Sequence, residues 1–247
     1  MSTDNKPKLT PVFDNLEVAI KVWWKNLKKF IFIYLWGFVY ALVPMLVVSL
    51  VFGLKFWLGD NASDSFYIAA FIVTAISVLF LIYFAIRAYI SIFLLVKNDY
   101  QGQELELFKE SKKYFWNYLG VVIPVAIFTI LWSLLLIIPG IIFGIFYSFA
   151  VFIFFFEGKE GLDAISASKK LVKGYWWPVF GRYLLIGLIA LVFSIIITAP
   201  ISAKGIDKSS AFFQGWNFLV QIINYLVGPI YLIYGYNIYR DLVKIKK

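Results

Sequence analysis

Six long, nearly uncharged apolar stretches constrain this chain more than any motif it carries: Phe30–Leu54, Phe66–Val96, Leu119–Ile138, Ile141–Phe156, Trp177–Pro200 and Phe212–Tyr239. An uncharged apolar run of about 18 residues is enough to suggest a helix that crosses a bilayer. The composition agrees, with 62% hydrophobic and 15% charged residues. A soluble domain is roughly half apolar and about a quarter charged. The expectation is an all-α polytopic membrane protein with six transmembrane helices arranged as three hairpins. Little chain is left over for a soluble catalytic domain. The opening segment is polar and lysine-rich, but the apolar run after it is too long for a signal peptide, so the first span is expected to be retained.

Charge gives an orientation. Lys6, Lys8, Lys21, Lys25, Lys28 and Lys29 precede the first span, and Lys97, Lys109, Lys112 and Lys113 follow the second. Lys159, Lys169, Lys170 and Lys173 follow the fourth, with Arg182 just inside the fifth, and Arg240, Lys244, Lys246 and Lys247 end the chain. Only Lys55, Lys204 and Lys208 fall on the other side. Cationic loops stay cytoplasmic, so both termini are expected in the cytoplasm of a multi-pass plasma-membrane protein.

Three lysine-rich segments look amphipathic, and each is expected to be a cytoplasmic interfacial helix preceding a hairpin. In the first, Asp14 and Glu17 suit a capped start, and Leu16, Ile20, Trp23, Leu27 and Phe30 share a face. In the second, Leu105 to Tyr118, Phe108, Ser111, Phe115 and Leu119 oppose Lys109 and Lys113. In the third, Glu160 to Lys173, Leu162, Ala164, Ile165, Ser168, Leu171 and Val172 oppose Asp163, Ser166, Lys170 and Lys173. Gly174 would end that helix. Tyr175, Trp176 and Trp177 then mark a membrane–water boundary, and Pro178 suits the first turn of the next span. The chain thus reads as one integral membrane domain over 1–247. It has a disordered tail over 1–13 and helix-plus-hairpin units over 14–96, 103–156 and 160–240. Lys28, Lys29, Lys112, Lys113, Lys169, Lys170 and Lys173 are candidate contacts for anionic lipid headgroups.

Pro139-Gly140 is expected to be the whole link between the third and fourth spans. Gly140, Gly144 and Ser148 form a small-residue face that permits close helix approach. Pro44, Pro124 and Pro229 should kink their spans.

Two polar features lie within spans. Arg87 either snorkels to the headgroups or sits inside the bundle with a polar partner. Gln214, Asn217, Gln221 and Asn224, spaced three, four and three residues apart, stack on one helix face. That face is expected to point into the bundle, toward Ser77, Thr129, Ser133, Ser194 or Thr198, or to line a wet cavity.

The chain has no His and no Cys. Imidazole and thiolate chemistry are therefore absent, and with them the commonest general base and disulfides. No phosphate loop, dinucleotide fingerprint or nucleophile elbow occurs. Glu157 and Glu160 are the carboxylates a membrane-embedded lipid enzyme would need, but Glu104, Glu106, Glu110, Glu157, Glu160 and Asp163 read as helix-cap and surface residues. No catalytic, metal or cofactor site is expected, and no nucleic-acid partner.

The stretch from Ile138 to Phe180, "IPGIIFGIFYSFAVFIFFFEGKEGLDAISASKKLVKGYWWPVF", resembles the membrane domain attached to some bacterial glycerophosphodiester phosphodiesterases, and related stand-alone six-helix membrane proteins. Pro139-Gly140, Glu157-Gly158, Asp163–Ser168 and Lys173-Gly174 before Trp176-Trp177 carry the likeness. The resemblance implies a bacterial membrane domain. In the fused relatives catalysis belongs to a separate barrel with histidines and metal-binding carboxylates, so phosphodiesterase activity is not implied for a chain without His. The function expected is that of a non-enzymatic lipid-interacting scaffold or accessory subunit. The alternative is a small transporter or channel for a polar solute or lipid headgroup, using the polar face of the sixth span.

Overall fold

The computed structural model describes residues 8–59, 63–202 and 210–246. Within these, every regular element is a helix except a single 3-10 residue. The helices are α1 (Val12–Lys25), α2 (Leu27–Leu58), α3 (Asp64–Lys97), α4 (Glu104–Leu135), α5 (Ile137–Tyr147), α6 (Ala150–Glu157), α7 (Gly161–Val172), α8 (Trp176–Ser202) and α9 (Ala211–Lys246). Six helical segments are long and apolar enough to cross a membrane: α2, α3, α4, α5 with α6, α8 and α9. The chain is therefore built as a multi-pass membrane protein. Lys6, Lys204, Lys208 and Lys247, part of the charge bias, lie outside the described residues.

The packing divides into two compact units, Leu27–Trp116, and the first 26 residues with Asn117–Lys247. In the first, α3 runs back along α2. The Gly37 backbone approaches Ala88, so that a Cβ there would lie 3.2 Å from the Ala88 Cβ. Tyr40 stacks on Phe84 and on Phe108. Apart from Ser77, the buried residues of α3 all lie between Arg87 and Val96.

Leu105–Tyr118 is not a separate surface helix. It is the opening of the continuous α4, which runs through Pro124 to Leu135. No breaker separates the two parts, and its apolar side has work within the protein. Phe108, Ser111 and Phe115 are buried, whereas Lys112 and Lys113 are exposed.

In the second unit α5 returns along α4, with Trp132 stacked on Phe143 at 4.1 Å. The reversal takes place at extended Leu136, not at Pro139-Gly140. Pro139 and Gly140 fall inside α5, where proline in a first turn breaks no hydrogen bond. Gly140 instead permits contact: a Cβ there would lie 2.1 Å from Ser133 Oγ and 2.9 Å from Ser133 Cα. The small-residue face is thus used within the chain.

The fourth span is broken, since α5 ends at Tyr147 and α6 starts at Ala150. A break leaves backbone groups without helical partners, a severe cost in an apolar setting. Ser168 of α7 meets it. Its hydroxyl donates to the Phe146 carbonyl at 2.7 Å and accepts the Phe149 N–H at 3.1 Å. The rest of the expected α7 face is buried too, except Leu162, which is exposed. Gly174 follows with φ of +89°, a conformation glycine adopts without strain.

The N-terminal segment departs from expectation in how its helix starts. The expected tail over 1–13 is described only from residue 8, and Val12 and Phe13 belong to α1. Leu9 is buried, and the Thr10 N–H donates to Asp241 at 3.0 Å. Residues 1–7 lie outside the described residues. The helix starts at Val12 after Pro11, so Asp14 lies in its first turn and is not its cap. Glu17 pairs with Lys21, which holds its carboxyl below the usual range. Asn26 separates α1 from α2, which splits the stripe from Leu16 to Phe30. Asn15 and Ala19 are the buried residues of α1, which packs on α9, while Phe13, Ile20 and Trp24 are exposed.

Candidate functional site

Arg87 is enclosed. It is 8% exposed, on the buried end of α3. Its Nε donates to Ser111 Oγ at 3.1 Å, and its Nη2 donates to the Phe108 carbonyl. Ser111 donates its own proton to that carbonyl at 2.6 Å. The guanidinium lies 4.4 Å from the Phe108 ring centroid and 5.4 Å from that of Tyr83. A buried charge needs such compensation. Here a carbonyl, a hydroxyl and two π faces supply it, a pattern that a planar fork fits well. Both partners come from the opening of α4, so Arg87 ties α3 to α4 and does not snorkel.

The amide stripe takes the other course. On α9, Gln214, Gln221 and Asn224 are exposed and Asn217 is half-buried. The side chains of Asn217, Gln221 and Asn224 have no hydrogen-bond partner among the described residues. Four of the five hydroxyls expected to receive them are engaged elsewhere. Ser77, Thr129, Ser133 and Thr198 each donate to the carbonyl four residues back on their own helix. The stripe lies wholly before Pro229, and the buried residues of α9 run from Pro229 to Leu242. Sequence periodicity identified the face but not its direction. Other residues of this half are anchored: Trp216 Nε1 donates to the Ile197 carbonyl of α8 at 2.9 Å, and the Leu226 carbonyl accepts from Trp23 Nε1 of α1 at 2.7 Å.

The lysines separate into used and unused. Lys29 is half-buried and donates to the Tyr100 carbonyl at 2.6 Å, clamping the turn between α3 and α4. Lys28, Lys112, Lys113, Lys169, Lys170 and Lys173 are exposed, and none has a carboxylate partner among the described residues. Lys169 lies 5.4 Å from the Phe143 ring centroid, and the Lys170 and Lys173 carbonyls accept from Lys246 Nζ.

The two carboxylates a lipid enzyme would need are occupied. Glu157 accepts the Tyr239 hydroxyl at 3.0 Å and Lys159 at 2.7 Å, and Glu160 accepts Asn117 Nδ2. Among the described residues no three His, Cys, Asp or Glu side chains converge as metal ligands would.

Cavities add features that were not expected from sequence, among them an apolar one of 460 Å³ lined by Ile138, Ile142, Phe146, Trp176 and Phe180, and two more. One, of 430 Å³, lies between α2 and α3 beside Pro44, with an almost wholly apolar wall that includes Tyr40, Val47, Val73 and Phe80. The other, of 210 Å³, is a polar cleft between Thr10, α1 and the last turns of α9.

Compared with family models, with curated proteins and with solved structures, the chain matches none of them.

Proposed function

We propose that this protein is a non-enzymatic integral membrane subunit that engages membrane lipids and a partner protein, with its spans paired as three hairpins and both termini in the cytoplasm of a bacterial plasma membrane. The observation that carries this reading is the amide stripe of α9. An amide facing hydrocarbon without a partner is costly. Asn217, Gln221 and Asn224 have no partner among the described residues, and an adjoining helix of another protein would satisfy them. Interhelical amide bonds of that kind contribute about 0.6–2 kcal/mol each in membranes. Lipid engagement is supported by the exposed lysines without carboxylates and by the outward Phe13, Ile20 and Trp24 of α1. Ammonium groups of this kind attract anionic headgroups at about 1 kcal/mol apiece. The apolar cavity beside Pro44 has the lining an acyl chain requires.

A photo-crosslinking residue at position 221 tests the partner. In native membranes it should join a second protein, and adducts to lipid alone would contradict the reading. Retention of anionic lipid in native mass spectrometry should fall when Lys169, Lys170 and Lys173 are replaced together by Gln.

The same unpartnered amides support a second reading, a small transporter or channel, in which water and a polar solute satisfy them. The two readings differ in whether small aqueous reagents reach the stripe.

A further inference from the structure

We infer that the polar cleft between α1 and α9 is a binding site for a zwitterionic phosphoester headgroup of the phosphoethanolamine kind. It is independent of Lys28, Lys112, Lys113, Lys169, Lys170 and Lys173 and of the amide stripe.

The cleft is lined by Thr10, Asn15, Asn237, Arg240, Asp241 and Lys244, with Val18. The α9 residues fall three and four apart, on one helix face. Two of its polar atoms are buried and unpaired: Asn15 Oδ1, an acceptor, and Asn237 Nδ2, a donor. Asn15 is 2% exposed, and its amide is oriented by Nδ2, which donates to the Tyr234 carbonyl at 3.4 Å. Its oxygen is thereby left over. Buried polar atoms without partners are rare in proteins, and each calls for a ligand or another explanation.

The complement is specific. Arg240, Lys244 and Asn237 Nδ2 offer donors and positive charge, which suit a phosphate. Asn15 Oδ1 and the Asp241 carboxylate offer acceptors and negative charge, which suit an ammonium group. Asp241 already accepts the Thr10 N–H, which leaves further acceptor capacity on its carboxylate. A purely anionic ligand would face the Asp241 charge and leave Asn15 Oδ1 without a donor. A choline headgroup has no N–H to give. An ethanolamine phosphate meets both halves. Such a headgroup could arrive on a membrane lipid or as a free phosphoester.

The full-length protein, stripped of lipid in detergent, would be examined by native mass spectrometry with phosphatidylethanolamine, phosphatidylglycerol and phosphatidylcholine of equal acyl chains. The expected result is one retained phosphatidylethanolamine per chain, ahead of both other lipids. Lys244→Glu and Asn15→Leu should each weaken retention about tenfold, the scale of one charge-assisted hydrogen bond. Lys244 is exposed, so its variant also covers the case in which Asn15→Leu fails to fold. Because phosphatidylethanolamine is net neutral, loss in Lys244→Glu would not reflect general surface charge. Displacement by soluble O-phosphoethanolamine would assign the site to a free phosphoester as well, and its absence would assign it to the lipid. Equal retention of the choline or glycerol lipid, no retention of any, or no effect of Lys244→Glu would overturn the proposal.

Discussion

Arg87 and Ser111, on different helices, form a buried pair in which the serine oxygen accepts from Nε at 3.1 Å. The serine hydroxyl in turn donates a hydrogen bond to the Phe108 carbonyl, which also accepts from the same arginine. One turn of α4 thus serves as the receptor for a charge on α3. Arg87→Lys keeps the charge but loses the fork, and should lower stability by about 1.5–3 kcal/mol. Ser111→Ala should cost less, about 1 kcal/mol. In a double-mutant cycle read by thermal melting in detergent, the two should be strongly non-additive. Additive losses would mean that the pair is not a unit.

The tight meeting of α4 and α5 gives a second prediction. Gly140→Ala places a methyl group against the Ser133 backbone, which cannot rotate away. A cost of about 1–3 kcal/mol is expected from overpacking. Gly144→Ala, where the nearest atom is a Thr129 methyl at 3.7 Å, should be nearly neutral in the same melting assay.

Ser168 bridges the break between α5 and α6. Ser168→Ala should leave the Phe149 N–H buried and unpaired, at about 1–3 kcal/mol. Hydrogen exchange should rise at Phe149 and its neighbours before it rises elsewhere in α5 and α6.

Orientation can be tested through introduced cysteines, since the chain has none of its own. Ser111 is unsuitable because it is buried, but Lys112 and Ser166 are exposed, as is Ser63 between α2 and α3. In intact cells a membrane-impermeant thiol reagent should label a cysteine at position 63 and spare those at 112 and 166. The reverse pattern would invert the topology.

Much of the fold was legible because hydropathy over long windows responds to the solvent, and lipid imposes helices. The positions of α2, α3, α8 and α9 follow from it. The break at Ser148–Phe149 could not be read from its own apolar surroundings, since the hydroxyl that sustains it comes from Ser168, nineteen residues away. The Leu136 reversal lost to Pro139-Gly140 as a turn signal because proline and glycine also serve inside helices, at a first turn and at a close contact. The opening of α4 buries Phe108, Ser111 and Phe115, but a stripe in the sequence does not say what it covers, and here it covers Arg87. Asn15 and Asn237 lie far apart in sequence and carry no pattern, so the cleft became visible only when α1 packed on α9.

Solvent access at position 221 tests the central claim most directly. Gln221 would be replaced by Cys and exposed to a small water-soluble thiol reagent in native membranes, then again after extraction into detergent. A partner helix covering the stripe predicts no labelling in the membrane and labelling after extraction. In parallel, Gln221→Leu should leave the melting point of the isolated chain unchanged or raised. Rapid labelling in the native membrane would contradict the accessory-subunit account and place a water-filled path along α9.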